Sequence, residues 1–411
     1  MNLSSFIARR IAFNQQRTFS RFIIRLSIVA TTISVATMII TLSFVNGFEE
    51  VVSQKVFSFS GHVRIQYRQP MKVNIAEEVP IEENEKVFRA TKQNKQVGTV
   101  FPFATKYAIL KTDDEMEGIL LKGLADTAGF VHLKDFLEEG RWVSFNDSTY
   151  SREIVVSTFT ANQLSLKLND RILIYFVRPD GSLRPDKLTI VGLYKTGIEE
   201  YDKTYALGDL QLIRRLNSWG ENEIGGYEIF LKDFNQMDEV SEALYANAAF
   251  PELWETKTIK EMYPNIFDWL NIIRYNGNIL IAIVIVIVII NFITCLIILV
   301  LERIRMIGIM KAMGITDWTI QKVFLYHSAL ITITGILAGT AISLGLLWVQ
   351  LKTGFVKLKE VEYYMSTAAV KIDIGQVLMV VAGTLIISLL VLLIPSLLVR
   401  KIKPIKAIRF N

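Results

Sequence analysis

Cysteine is almost absent from this sequence. Cys295 is the single cysteine among 411 residues, so no disulfide can form within the chain. The three histidines, His62, His132 and His327, lie far apart in the sequence. Neither a disulfide scaffold nor a thiol-based metal site is therefore predicted, and we expect no metal or other cofactor on this chain.

Motifs for nucleotide binding and catalysis are missing as well. The sequence has no Gly-x-x-x-x-Gly-Lys-Ser/Thr loop that could hold the phosphates of ATP. It has neither a His-Glu-x-x-His zinc helix nor a Gly-x-Ser-x-Gly nucleophile turn, and ionisable residues are absent from the cores of its apolar segments. These absences argue against an enzyme, an ion-coupled transporter and an intramembrane protease. Any energy from ATP must come through a partner.

Long apolar segments dominate what is present. Hydrophobic residues make up 51% of the chain and charged residues 21%, which is too apolar for one soluble globule. Four segments are long enough to cross about 30 Å of hydrocarbon as helices. They are 22–45, 279–301, 323–349 and 377–399. The first is interpreted as an uncleaved anchor, because basic residues precede it and no small-residue cleavage site follows.

Basic clusters beside these segments predict the orientation. They are Arg9, Arg10, Arg17, Arg21 and Arg25; Arg303, Arg305, Lys311 and Lys322; and Arg400, Lys401, Lys403, Lys406 and Arg409. The positive-inside rule places 1–21, 302–322 and 400–411 in the cytoplasm. The loop 350–376 has lysines too, but Glu360 and Glu362 offset them. The net charge of +5 is thus assigned to topology and anionic membrane lipid, with no nucleic acid expected.

The segment 46–278 is long enough to fold as a domain of its own outside the cytoplasm. Alternating apolar runs predict strands at 62–66, 108–111, 118–122, 153–156 and 171–177. Helices are predicted at 83–94, 207–216 and 236–247, and turns at 112–115 and 179–181. The fold class is four transmembrane α-helices plus a large α+β domain between the first two. We also predict a strand-rich lobe at about 133–189, and a stalk at 256–278 that extends the second span.

The segment between the second and third spans predicts a short helix. Met306, Ile309, Met310 and Met313 recur at i, i+3, i+4 and i+7, which gives an apolar, methionine-rich stripe. Gly314 suits the position after a helix end. Such a stripe requires a partner surface, which the pattern leaves open: another protein, the lipid headgroups, or the span ends of this chain.

Two further patterns concern the spans. Thr31, Ser34, Thr37 and Thr41 share a face of the first span, where hydroxyls either bond back to the preceding turn or line a protein interface. Gly335, Gly339 and Ser343 permit close helix approach in the third span. The second span is apolar on every side, so lipid or an acyl chain would be accommodated there.

Several motifs together resemble a known family. They are Asn46-Gly-Phe-Glu49 with Gly61-His62, Ile190-Val-Gly-Leu-Tyr194 with Gly197 and Glu200-Tyr-Asp202, Glu302 to Gly314, Tyr363-Tyr-Met365, and Lys403 to Arg409. With the order of one span, a large domain and three spans, the chain resembles the MacB/FtsX-type ABC permeases. In detail it resembles their lipoprotein-releasing branch, the LolC/LolE family. The resemblance covers nearly the whole chain.

The resemblance implies a non-catalytic permease in the inner membrane of a Gram-negative-type cell. Two permeases, the second a copy or a paralogue, would each bind a LolD-like cytoplasmic ATPase that holds ATP and Mg. A cavity formed mainly by spans one and two would take the acyl chains of a lipoprotein from the outer leaflet, and the periplasmic domains would pass the lipoprotein to a LolA-like carrier.

The resemblance also implies roles for residues. ATPase coupling is assigned to Arg303, Arg305, Met306, Ile309, Met310, Lys311, Met313 and Gly314. The lipoprotein cavity is assigned to Thr41, Val45, Asn46, Phe48, Glu49, Ile279 and Ile283, although Asn46 and Glu49 could equally shape the helix exit. Structural roles in the domain fall to Gly47, Gly61, His62, Gly197, Glu200, Tyr201 and Asp202.

Two other functions remain open from sequence. One is an FtsX-like permease that moves no substrate and regulates a cell-wall hydrolase, by mechanotransmission through its external domain. The other is a MacB-like efflux permease, although such proteins usually carry their ATPase on the same chain. The longer external domain and the Glu200-Tyr-Asp202 element favour lipoprotein release.

Overall fold

The computed structural model describes residues 18–68, 78–113, 115–145, 150–178 and 181–396, with only the backbone described for 18–21, 361 and 392–396. The described chain divides into two compact units. The membrane unit comprises 18–50, 269–357 and 367–396, and the sheet unit comprises 51–268 and 358–366. Most of the basic N-terminal segment and the whole C-terminal tail 400–411 lie outside the described residues.

Twelve α-helices lie in the described part of the chain. They are α1 (Thr18–Ser60), α2 (Glu85–Gln93), α3 (Thr158–Gln163), α4 (Glu199–Thr204), α5 (Leu210–Asn217), α6 (Met237–Tyr245), α7 (Ile259–Met262), α8 (Pro264–Glu302), α9 (Ile304–Ala312), α10 (Asp317–Thr353), α11 (Glu360–Tyr363) and α12 (Ile374–Ser396). Four of them, α1, α8, α10 and α12, are long and apolar enough to cross a membrane. The prediction of four transmembrane helices is confirmed.

The predicted stalk at 256–278 is shorter than expected. Residues 254–258 form a strand and α7 follows it, capped by Thr258, whose hydroxyl accepts from the Glu261 N–H while the Glu261 carboxylate accepts from the Thr258 N–H. The long helix α8 begins only at Pro264, because proline has no N–H to bond and its fixed φ suits the first helical position.

Helices of the membrane unit approach closely at small residues. A Cβ placed on Gly335 would lie 2.7 Å from the Thr31 Cβ, and one on Gly339 would lie 2.6 Å from the Thr32 carbonyl oxygen. The Thr32 hydroxyl donates across this contact to the Gly335 carbonyl, at 3.2 Å. The predicted close helix approach in the third span is therefore confirmed, and its partner is α1.

The strands of the sheet unit form one ten-stranded sheet and one two-stranded sheet. They are β1 (Val63–Tyr67), β2 (Ile81–Glu82), β3 (Val97–Lys111), β4 (Met116–Leu124), β5 (Leu137–Gly140), β6 (Glu153–Ser157), β7 (Arg171–Val177), β8 (Leu183–Tyr194), β9 (Tyr205–Asp209), β10 (Glu223–Ile224), β11 (Gly226–Leu231) and β12 (Trp254–Thr258). The large sheet runs β12-β1-β11-β3-β4-β9-β6-β8-β5, with β7 beside β3 and β8; β10 pairs with β2. Among the strand pairs of the described residues, only β4–β9 and β6–β8 are parallel.

The segment 133–189 is strand-rich, as predicted, with β5, β6, β7 and the first part of β8, but its strands belong to the large sheet. Strand β7 of that segment pairs with the last four residues of β3, and β6 pairs with β9. Because β3 is 15 residues long, it pairs with β11 near its start and with β4 and β7 further along. The hydrogen-bonded ladder thus continues through the segment instead of dividing there.

The other local predictions mostly hold. The five predicted strands correspond to β1, β3, β4, β6 and β7, and the helices predicted at 83–94 and 236–247 correspond to α2 and α6. The helix predicted at 207–216 is partly wrong: β9 extends to Asp209, whose carboxylate accepts from the Gln211 N–H and caps α5.

In the predicted turn 112–115 the Thr112 N–H donates to the Glu115 carbonyl, while Asp114 lies outside the described residues. In the turn 179–181, Pro179 and Asp180 also lie outside them.

Candidate functional site

The predicted cavity residues at the end of span one are mainly in structural contacts. The Asn46 amide donates to the Gln376 side chain, and Phe48 is buried with its ring edge-on to Trp269, 5.1 Å between centroids. A carboxylate oxygen of Glu49 lies 3.7 Å from a guanidinium nitrogen of Arg274. The Asn46-Gly-Phe-Glu49 element therefore joins α1 to α8 and to the start of α12, which favours a structural role. It is not a helix exit, because α1 continues to Ser60.

Gly47 is required by a close backbone approach. A Cβ at this position would lie 2.7 Å from the Ala369 carbonyl oxygen and 2.8 Å from the Lys371 nitrogen. The Lys371 N–H donates to the Ser43 carbonyl at 3.0 Å, and the Lys371 ammonium pairs with Glu50. Any larger residue would push the segment before α12 away from α1.

The other predicted cavity residues border an exposed apolar stripe. Val45 and Thr41 lie beside Gly277 of α8, where a Cβ would be 2.8 Å from Val45. Just beyond, five residues at helical spacing are each more than half exposed: Ile279, Ile283, Val286, Ile287 and Ile290. We call these five the α8 stripe. The opposite face of α8, including Val288, Phe292 and Leu296, is buried in the core of the membrane unit.

The predicted coupling stripe forms a helix but does not form one surface. The helix is α9, which begins after Arg303 and ends at Met313, and Gly314 follows with φ of +84°. Met310 is 6% exposed and lies in the membrane-unit core, and Met306 packs against that core. Ile309 and Met313 are 51% and 67% exposed. The prediction of a single four-residue stripe is therefore wrong, because tertiary packing turns half of it inward.

The exposed face of α9 is the part of this helix that a partner protein could bind. Arg305, Ile309 and Met313 are exposed at four-residue steps, which places one basic and two apolar side chains on one face. Lys311, one of the residues assigned to ATPase coupling, pairs with Asp317 at 2.8 Å. This pair ties α9 to the start of α10.

In the sheet unit, Gly61 and His62 turn the chain from α1 into β1. Gly61 has φ of +69°, and its N–H donates to the Phe57 carbonyl at 2.8 Å, which ends the helix. The His62 Nδ1 accepts from the Leu231 N–H at 3.0 Å. Burial lowers the pKa of His62 to about 4, so the ring is neutral at pH 7 and this nitrogen remains an acceptor.

The Glu200-Tyr-Asp202 element lies in α4 and is largely buried. The Asp202 carboxylate accepts from the Thr196 N–H and hydroxyl and from the Gly197 N–H, at 2.8 to 3.0 Å. Burial raises the pKa of Asp202, and these hydrogen bonds oppose the rise. Tyr201 is fully buried, with its ring stacked on Phe59 at 4.8 Å and edge-on to Tyr263 at 5.2 Å. Helix α4 thus contacts the end of α1 and the residue just before α8.

A buried ionic cluster adjoins this aromatic group. Glu228 pairs with Arg64 at 2.7 Å and with Lys122 at 2.8 Å, and all three residues are less than 9% exposed. The Lys122 ammonium also donates to the carbonyl oxygen of Phe59. Sequence reasoning missed this cluster, since charged residues in alternating strands are normally assigned to the solvent face. The only signal was that Arg64, Lys122 and Glu228 lie within otherwise apolar runs.

A second set of contacts that the sequence did not predict involves Leu358–Ser366, which we call the strap. Its ends are joined by a hydrogen bond from the Leu358 N–H to the Ser366 carbonyl. Glu360 of the strap pairs with Lys195 at 2.6 Å. Tyr364 accepts from Lys55 at its carbonyl oxygen, at 2.7 Å, and its hydroxyl donates to Glu200 at 3.1 Å.

Gly197 makes this arrangement possible. Its φ is +73°, and a Cβ there would lie 2.7 Å from a Glu360 carboxylate oxygen and 2.9 Å from the Lys55 ammonium. Glycine is therefore needed for its conformation, whereas the two nearby atoms are the ends of flexible side chains that can shift. A cavity of about 330 Å³ lies beside it, lined in part by Phe159, Lys195 and Glu360.

Two protein-family models match the chain. The MacB-like periplasmic core domain matches residues 26–246, which is more than half of it. The chain belongs to this family. The FtsX-like permease C-terminal domain matches residues 278–404. The protein is thus a multi-pass membrane protein of the MacB/FtsX type with a periplasmic α+β domain, as predicted.

The relatives confirm the resemblance to the LolC/LolE branch. The lipoprotein-releasing system transmembrane protein LolC of Neisseria meningitidis is 21% identical, with 98% of each chain covered. The corresponding LolE of Haemophilus influenzae is 23% identical, again with 98% of each covered, and LolC of that organism is 24% identical, with 96% of this chain and 95% of the relative covered.

Two solved structures are similar to part of this chain, at low similarity. The periplasmic region of MacB from Actinobacillus actinomycetemcomitans is 11% identical with a TM-score of 0.34, covering 50% of this chain and 91% of that one. The extracellular domain of the transporter YknZ from Gram-positive bacteria is 16% identical with a TM-score of 0.32, covering 48% of this chain and 99% of that one.

Proposed function

We propose that this chain is the permease subunit of an ABC complex that extracts lipoproteins from the outer leaflet of the inner membrane. The observation that carries the proposal is the similarity to lipoprotein-releasing transmembrane proteins over 98% of both chains. That similarity spans the membrane unit and the sheet unit alike, so it does not arise from a shared module. The chain itself is non-catalytic, and a partner subunit hydrolyses ATP.

The α8 stripe suits the cargo. Moving an acyl chain out of the bilayer into water costs about 0.8 kcal/mol per CH₂, so a lipoprotein with two or three chains does not leave unaided. An apolar stripe that starts beside Val45 and runs from Ile279 to Ile290 offers such a chain an alternative surface. Because the opposite face of α8 is buried, this is the face of the helix that can hold an acyl chain.

The partners follow from the same proposal. A LolD-like ATPase, with bound ATP and Mg, is seated on the face of α9 that exposes Arg305, Ile309 and Met313. A second permease, either a copy or a paralogue, closes the cavity, and a LolA-like carrier receives the cargo from the periplasmic domain. Both termini then lie in the cytoplasm of a Gram-negative-type cell.

Purification of the chain from native membranes tests the proposal. Mass spectrometry of the copurifying material is expected to identify an ATPase with a Walker motif, a permease, and acylated lipoproteins. Reconstituted in liposomes with that ATPase, the complex should release a bound lipoprotein to a soluble carrier only when ATP is added. An ATPase that copurifies with a cell-wall hydrolase and no lipoprotein would overturn the proposal in favour of an FtsX-like signalling permease.

A further inference from the structure

Three segments of the sheet unit converge on the six-residue helix α4. The end of α1 contacts it through Phe59, which stacks on Tyr201. The residue before α8, Tyr263, contacts the same ring, and its hydroxyl shares a hydrogen bond with Tyr205 at 3.0 Å. The strap, which connects α10 to α12 along the chain, contacts it through Tyr364 and Glu200. One short helix thus touches all three connections from the sheet unit to the apolar helices.

These three attachments differ in how easily they break. Phe59 and Tyr201 are buried, and beside them Lys122 holds the end of α1 within a buried ionic cluster. Separating a buried charge from its partner leaves it uncompensated, which is strongly unfavourable. The strap includes the pair of Lys195 and Glu360, whose side chains are 38% and 33% exposed, beside the two hydrogen bonds of Tyr364. Such exposed pairs contribute little to stability, so this contact of the strap is weaker than the buried cluster at the end of α1.

The backbone of Tyr364 adds a second, independent observation. Its φ is +56°, in the left-handed region that side chains other than glycine rarely adopt. The same residue makes both hydrogen bonds of the strap to Lys55 and Glu200. This conformation ends α11, since the Tyr364 N–H donates to the Glu360 carbonyl at 2.8 Å within the strap itself. The strap therefore keeps its own turn, and the contacts that join it to the rest of the sheet unit are made by the side chain and the carbonyl oxygen of this one residue together with Glu360.

We propose that the strap is a releasable clasp on α4. It is closed, as in this structure, in one state of the transport cycle and lifts from Lys195 and Glu200 in another. The clasp thereby links movement of α10 and α12 to the helix that also contacts the end of α1 and the residue before α8. This inference rests on the proposed function, because the cycle that opens the clasp is the ATP-driven release of cargo.

Cross-linking across the clasp tests it. In a Cys295→Ala background, Lys195→Cys and Glu360→Cys are joined by reducible bis-maleimides of graded length in the reconstituted complex with its ATPase. We expect efficient cross-linking without nucleotide and a severalfold lower yield with ATP and vanadate. The closed cross-link should abolish lipoprotein release while the ATPase stays bound, and reduction should restore release. The matched control joins Lys359→Cys to Glu362→Cys, a pair that lies within the strap, and should release cargo normally.

A conservative pair of variants covers the case in which the cysteine variants fail to assemble. Glu360→Gln should accelerate hydrogen exchange at the strap amides severalfold and weaken the coupling between ATP hydrolysis and release, whereas Glu362→Gln should do neither. Three results would overturn the proposal of a releasable clasp. They are a cross-linking yield that does not change when nucleotide is added, normal lipoprotein release with the clasp cross-linked, and equal hydrogen exchange in Glu360→Gln and Glu362→Gln. If the cross-linking yield responds to nucleotide but no lipoprotein is released by the parent complex, the clasp stands and the proposed function fails.

Discussion

The ammonium of Lys122 donates a hydrogen bond to the carbonyl oxygen of Phe59, the second-last residue of α1. The last carbonyls of a helix have no partner within it and carry partial negative charge, so a buried cation is favoured there. Lys122 is 1% exposed and also pairs with Glu228. A strand of the sheet thereby holds the end of the first long helix.

Replacing this lysine should destabilise the protein strongly. Lys122→Met leaves the Phe59 carbonyl without its donor and one Glu228 oxygen without a cation, and such a loss costs about 3 to 5 kcal/mol. The measurement is the thermal unfolding midpoint of the full chain in detergent. Lys111→Met, at an exposed position of β3, is the matched control and should unfold at the parent midpoint. Equal midpoints for the two variants would show that the cluster does not hold the fold.

The glycine beside the strap should be sensitive to a single methyl group. Gly197→Ala forces a left-handed alanine, which costs about 1 to 2 kcal/mol, and places its Cβ against Glu360 and Lys55. We expect faster hydrogen exchange throughout the strap and weaker cargo release. Gly118→Ala in β4 is the control, since no atom lies within 4 Å of the added Cβ. If both variants retained slow exchange in the strap, the close approach at Gly197 would not be needed.

The two faces of α9 should respond differently to charge. Ile309→Glu and Met313→Glu alter exposed side chains, so we expect loss of the copurifying ATPase with an unchanged unfolding midpoint. Met310→Glu buries a carboxylate in the membrane-unit core and should lower the midpoint instead. Leu351→Glu, exposed at the other end of α10, controls for added surface charge. If both exposed-face variants still copurified with the ATPase, this face of α9 would be excluded as the ATPase-binding surface.

The α8 stripe should set the efficiency of cargo release. Ile283→Asn puts an amide where an acyl chain is proposed to lie, and we expect at least severalfold slower release in liposomes with ATPase binding retained. Leu337→Asn, a 65% exposed position on α10, places the same change on a different apolar surface and should have a smaller effect. A larger effect at Leu337 would move the cargo path to α10.

Stability of the sheet unit should depend on pH through Glu78. Burial raises the pKa of this carboxyl from 4.5 to about 7, against the hydrogen bonds it accepts from Thr105. Because the folded-state pKa is the higher, its contribution is full below pH 4.5 and is lost as the pH rises through about 7. Glu78→Gln should therefore gain stability relative to the parent protein at pH 8 and none at pH 4.

The neutral buried His62 acts in the opposite direction, since its lowered pKa favours the folded state as the pH rises through its titration range. The contribution of Glu78 alone is therefore obtained as the difference in the free energy of unfolding between Glu78→Gln and the parent protein at each pH. Glu82→Gln, at an exposed position of β2, is the control. Its free energy of unfolding should differ from that of the parent by the same amount at every pH. A stability difference between Glu78→Gln and the parent that does not change with pH would show that burial does not raise the pKa of this carboxyl.

Part of the candidate site could be predicted and part could not. The helix of the coupling segment and the glycine at its end were predictable from Met306 to Gly314, because helical spacing and a C-terminal glycine are local signals. Which of its apolar residues face outward was not, because Met310 is turned inward into the core of the membrane unit. The contacts of Glu360 and Tyr364 with Lys195 and Glu200 join residues about 165 positions apart, and no local pattern encodes such a pairing.

The sequence by itself determined the four apolar helices, the α+β character of the domain between the first two, and the resemblance to lipoprotein-releasing permeases. Segment length, hydropathy and alternation are properties of neighbouring residues, and they suffice for those conclusions. Only the tertiary structure decided that β7 continues the sheet beside β3, that Glu228 holds two buried cations, and that the strap closes on α4. Each of these depends on which distant residues meet when apolar surface is buried, and burial is satisfied by the whole chain and not by any one segment.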